Sequence, residues 1–115
     1  MAQIGNCPFG FEDGHIKGYE AAFECLHVTV EFWNEKQGAL TFLQPLAVRD
    51  NASIGVTLGS VKQNHSSELI MEVVAHQYGK PPETIDLSHY QFLDLDDFPI
   101  LEIVAKSCSF LALGE

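Results

Sequence analysis

Four groupings of side chains in this 115-residue chain carry the atom types that reactions and ligands need. Cys7, His15 and Asp13 supply a thiol, a base and a carboxylate that orients the base, the set a nucleophilic centre requires. They fall within nine positions of a stretch rich in Gly, Asn, Pro and Asp, and catalytic groups act only when held rigidly. Cys7, His15, Cys25 and His27 offer sulfur and imidazole to zinc. Structural zinc draws ligands in close pairs, however, and Cys25 and His27, two apart, share a face only on an extended strand. Asp94, Asp96 and Asp97 have the oxygens for calcium, or for acid–base work if burial raised one pKa. Leu95 and Phe98 interrupt that run and no glycine supplies the turn. The hydroxyls of Ser66 and Ser67 beside His65 are explained by helix capping. These patterns assign no catalytic centre, metal site or cofactor. An enzyme would need the fold to bring His27, His76 or His89 within hydrogen-bond reach of a carboxylate or thiol.

The densest signal is a twenty-residue window from Glu83 to Glu102. It holds Glu83, Asp86, Asp94, Asp96, Asp97 and Glu102 with no Lys or Arg, interleaved with Ile85, Leu87, Tyr90, Phe92, Leu93, Leu95 and Phe98. Such a segment anchors to a core and turns a negative surface outward. The chain as a whole has 16 acidic against 6 basic residues, a formal charge of −10, which repels nucleic acid and anionic lipid and favours a basic protein. Trp33 joins the candidate contact set as an outward aromatic.

Alternation defines the elements. Leu26, Val28, Val30 and Phe32 alternate with His27, Thr29, Glu31 and Trp33, the period of a half-buried strand. Asn34–Gly38 reads as a hairpin loop. Ala39–Val48 reads as a second strand carrying Pro45, which places it at an edge or gives it a bulge. Ile54, Val56 and Leu58 suggest a third strand, whose glycines Gly55 and Gly59 admit close approach by another backbone or a ligand. Gly18–Cys25 fits strand or helix, with strand favoured. Leu69, Ile70, Val73 and Val74 then predict a helix over Ser67–Tyr78, capped by Ser66 or Ser67 and stopped at Gly79-Lys80-Pro81-Pro82. Asp97 as cap, Pro99 in the first turn and Ile100, Leu101, Val104, Cys108 and Leu111 on one face predict a final helix over Asp97–Leu111.

The segment Glu68–Val104 resembles the first helix, connecting loop and second-helix start of acyl and peptidyl carrier proteins. The match runs through Tyr78-Gly79-Lys80-Pro81-Pro82-Glu83, Ile85-Asp86-Leu87 and Leu93-Asp94-Leu95-Asp96-Asp97-Phe98 into Leu101-Glu102-Ile103-Val104. In that family a serine after an aspartate carries the phosphopantetheine arm. Asp97 stands in its place here, and a carboxylate cannot form the phosphodiester. The resemblance therefore implies a relative without the prosthetic group and no thioester carriage.

The expectation is one α+β domain over residues 1–115 with an irregular arm over 1–14. An antiparallel sheet from about Tyr19 to Val61 carries the two C-terminal helices on one face, and an all-β sandwich is the alternative. Three cysteines, odd in number and without a CxxC pair, suit a reducing compartment. No start signal or apolar span is visible, so the expected setting is cytoplasmic and bacterial. The expected function is non-catalytic recognition of a basic protein, in the manner of small antitoxin or immunity proteins. The contact residues would be Glu83, Asp86, Asp94, Asp96, Asp97, Tyr90 and Trp33. The alternative is a small-molecule binder with an aromatic pocket between sheet and helices. Exposed strand edges are compatible with a homodimer.

Overall fold

A computed structural model of the chain describes Cys7 and residues 10–64, 67–78 and 87–113. Among these described residues, eight strands and one helix follow in the order β1 (His15–Ala22), β2 (Cys25–Glu31), β3 (Gln37–Leu43), β4 (Ala47–Asp50), β5 (Leu58–Asn64), α1 (Glu68–Tyr78), β6 (Ser88–Asp94), β7 (Pro99–Ala105) and β8 (Ser107–Ala112). They form two four-stranded sheets, β1-β2-β3-β8 and β4-β7-β6-β5, in which every pairing is antiparallel.

The inner faces of both sheets build one core. Leu26, Val28, Val30, Leu40 and Phe42 of the first sheet meet Leu58, Tyr90, Phe92, Leu101 and Ile103 of the second. Phe42 lies 4.9 Å from the Tyr90 ring and 6.3 Å from Phe92, both edge-on, the arrangement aromatic quadrupoles prefer. From the expected N-terminal arm, Phe11 wedges between Phe32 and Phe92 and Cys7 is also buried.

The chain passes between sheets at two adjacent points. Gln44-Pro45-Leu46 carries it from β3 to β4, and Lys106 carries it back from β7 to β8. The amide of Leu46 donates to the Val104 carbonyl at 2.8 Å and that of Lys106 to the Leu43 carbonyl at 3.0 Å, so the crossings brace each other. Pro45, having no amide to donate, stands in the gap between strands where none is required.

The expected α+β arrangement is overturned. The helix assigned to Asp97–Leu111 is β7 and β8, and the all-β alternative describes the molecule better, with α1 as its one helix among the described residues. The cause is burial on two sides. On β7, Leu101 and Ile103 face the core while Val104 packs beneath Ile70 and Val74 of α1. A strand covered on both faces loses the alternation that marks strands and leaves a dense apolar run that fits helical spacing equally well. The expected third strand is also displaced: Ile54 makes a single bridge to Ile16, and β5 begins at Leu58.

The helix over Ser67–Tyr78 stands. Ser67 Oγ accepts the Ile70 amide at 3.1 Å, the capping expected of a serine there. Ile70 and Val74 are buried, Glu68 and Glu72 exposed. Its proline stop falls outside the described residues, as do His65 and Ser66. No helix among the described residues is long and apolar enough to cross a membrane.

Candidate functional site

The acidic window divides three ways. Glu83 and Asp86 lie outside the described residues. Tyr90 and Glu102 are buried, on opposite faces of the second sheet. Asp94, Asp96 and Asp97 form the turn between β6 and β7, at one end of the molecule.

That turn is a three-residue loop. The Asp94 amide donates to the Phe98 carbonyl at 3.0 Å and the Asp97 amide to the Asp94 carbonyl at 3.1 Å, while Asp97 takes φ 61°. A type I turn followed by a left-handed residue gives this pattern. Asp94 Oδ1 accepts the amides of Asp96 and Phe98, both at 2.9 Å. One carboxylate thus satisfies the loop backbone and frees the other two side chains to face solvent. Leu95 and Phe98 remain 63% and 55% exposed.

The turn between β2 and β3 repeats this geometry. The Phe32 amide donates to the Lys36 carbonyl at 2.8 Å, the Glu35 amide to the Phe32 carbonyl at 2.9 Å, and Glu35 takes φ 67°. Trp33, 66% exposed, therefore holds the position of Leu95, and Glu35 that of Asp97. Each loop presents an apolar side chain first and a carboxylate third.

The two loops share an end because the chain over Phe11–Gly14 sits between them. A side chain on Gly14 would meet the Glu31 carbonyl at 2.8 Å and Phe32 Cα at 3.4 Å. On its other side the Gly14 carbonyl accepts the Leu58 amide at 2.7 Å, and the Asp13 amide donates to the Leu58 carbonyl at 2.9 Å. Leu58 pairs with Asp94, and a Cβ on Gly59 would stand 2.5 Å from the Asp94 carbonyl. Gly59 does admit another backbone, that of β6. Exposed Glu12 and Asp13 add their charge between the loops.

Tyr90 is no part of this surface. It is 2% exposed, and burial pushes its phenol pKa up. Glu102, 6% exposed, faces outward from the second sheet beneath α1. Its Oε1 accepts from His89 Nε2 at 2.9 Å and Gln91 Nε2 at 3.0 Å, and Arg49 Nη1 stands 3.6 Å from Oε2. His89 at hydrogen-bond distance from a carboxylate meets the condition an enzyme would need; that the carboxylate is Glu102 was not legible in the sequence, because the members of the cluster come from three strands.

The other groupings are only partly assembled. Cys25 Sγ and His27 Nε2 lie 3.4 Å apart, with His27 Nδ1 3.0 Å from Thr41 Oγ1. Cys7 is in the core, and His15 pairs with Glu31 at 3.2 Å, at the opposite end of β2 from Cys25. Neither the four-ligand zinc set nor the Cys7, Asp13 and His15 set converges. Among the described residues no three metal-ligating groups do. Of the aromatic rings proposed for a pocket, Phe11, Phe32, Phe42, Tyr90, Phe92 and Phe110 pack against one another, and Trp33 stands on a turn. Comparison with protein-family models, with curated proteins and with solved structures finds no match.

Proposed function

We propose that the protein is a recognition domain that docks a basic protein, with no chemistry at that surface, against the end formed by the β2–β3 and β6–β7 turns. The observation that carries this reading is the matched pair of loops. Trp33, Leu95 and Phe98 stand out from the fold beside Glu35, Asp96 and Asp97, on backbones held by their own hydrogen bonds. Exposed anchors among charges that are anionic except for Lys36 suit a partner that offers apolar pockets ringed by Lys and Arg. Held backbones lower the ordering cost of association. Cys25 and Cys108 are free thiols, which fits a reducing cytoplasmic setting, and the anionic surface disfavours nucleic acid and membranes as targets.

Capture from a cell lysate tests the reading, with wild-type protein immobilised beside Trp33→Ser and Asp96→Asn/Asp97→Asn variants. A basic protein held by wild type, released as salt rises and missing from both variants, is the expected result. The same proteins on all three surfaces would refute it.

A further inference from the structure

The Glu102 cluster ends on a hydroxyl at the protein surface. His89 Nδ1 lies 2.9 Å from Ser67 Oγ while its Nε2 lies 2.9 Å from Glu102 Oε1, so serine, imidazole and carboxylate stand in one hydrogen-bonded line. The protons along that line are set by its buried end. Glu102 accepts from His89 Nε2–H, which leaves the Nδ1 lone pair to accept the Ser67 hydroxyl. Capping explains why Ser67 Oγ receives the Ile70 amide. Capping does not require a buried histidine behind the serine, nor a buried carboxylate behind the histidine. His89 and Glu102 are 5% and 6% exposed, whereas Ser67 is half-buried and lines an open cleft of about 650 Å³ with Glu68, Met71 and Glu72.

We infer that Ser67 is a nucleophile toward carboxylic esters, with His89 as its base and Glu102 as the residue that positions His89. As Ser67 Oγ bonds to the carbonyl carbon, its proton passes to His89 Nδ1. The bond from that carbon to the leaving oxygen breaks, and the alkoxide takes the proton from His89. Water then bonds to the acyl carbon, again giving a proton to His89 Nδ1, the bond from that carbon to Ser67 Oγ breaks, and His89 returns the proton to Oγ. Ester and water become acid and alcohol, with no other reactant. First-turn helix amides have no intrahelical acceptor, so those of Glu68 and Leu69, next to Ser67 in the chain, are the donors assigned to the developing oxyanion. Glu68 and Glu72 give the cleft an anionic rim, which selects neutral or cationic esters and repels anionic ones. This activity is independent of the docking end and uses none of its residues.

A tagged alkyl fluorophosphonate tests the nucleophile: Ser67 Oγ bonds to phosphorus, fluoride leaves, and the serine proton departs through His89. The expected result is label mapped to Ser67 in native protein, none in Ser67→Asn, which keeps a capping side chain, and a rate lowered about 100-fold in His89→Gln. Both variants are checked for folding by circular dichroism. If His89→Gln does not fold, urea-unfolded wild type replaces it, and slower label there than in native protein supports activation by the fold. For Glu102, formate restoring the rate of Glu102→Gly marks a positioning carboxylate, and no restoration removes that role. Native protein unlabelled at Ser67, or labelled as fast without His89 or without the fold, overturns the inference.

Discussion

Glu35 and Asp97 occupy the same left-handed position of two turns of one geometry, at φ 67° and 61°. Glycine adopts that conformation without the Cβ clash. Asp97→Gly is expected to stabilise the fold by about 0.5 to 1 kcal/mol in urea denaturation while weakening partner capture. A gain in stability with capture untouched would mean that the Asp97 carboxylate does not contact the partner.

Asp94 acts differently, through its own backbone. Its carboxylate accepts two loop amides, so Asp94→Ala should cost about 1 to 2 kcal/mol of stability. Amide hydrogen exchange should rise at Asp96 and Phe98 and stay unchanged at Glu35. Unaltered protection at both positions would show that the loop holds without its carboxylate.

Much of this end was legible in the sequence, and its limits have physical causes. Period-two alternation located β2, and serine followed by an apolar run located α1. The outward acids were legible as far as Asp96 and Asp97, because charges and turns concentrate where strands end, whereas Asp94 turns its carboxylate onto the loop backbone. Tyr90 and Glu102 misled because a residue's direction on a strand depends on what covers each face, and α1 covers the outer face of the second sheet. Burial of β7 on both sides hid the strand itself. The pairing of Trp33 with Leu95 was not legible, since it arises only when Gly14 and Leu58 bring two distant hairpins together.

The Tyr19 hydroxyl donates to Asp50 Oδ2 at 2.7 Å. This bond, aided by the Ser53 amide, lowers the Asp50 pKa below 3.8 and raises that of Tyr19 above 10.0. The Asp50 contribution to stability is therefore complete above 3.8 and lost as pH falls through the lower folded value. The Tyr19 contribution is present below 10.0 and lost as pH rises through its folded value. Tyr19→Phe should move the Asp50 midpoint upward in a carboxyl NMR titration, and an unmoved midpoint would contradict the bond.

Burial, with Cys7 nearby, pushes the Cys108 thiol up to about 12. The thiolate is the reactive form, so at about pH 8 iodoacetamide should modify half-buried Cys25 well before Cys108. Peptide mapping over time reads the order. Equal rates at the two would show that the β8 edge opens readily.

Photo-crosslinking in cells tests the docking end most directly, with a benzophenone amino acid placed at position 95 and, as a control, at position 23. Phe23 is 90% exposed on the β1–β2 turn, at the opposite end of β2 from Trp33. The account predicts an adduct with a basic protein from position 95 and none from position 23. No adduct from 95, or the same adduct from both, would contradict it.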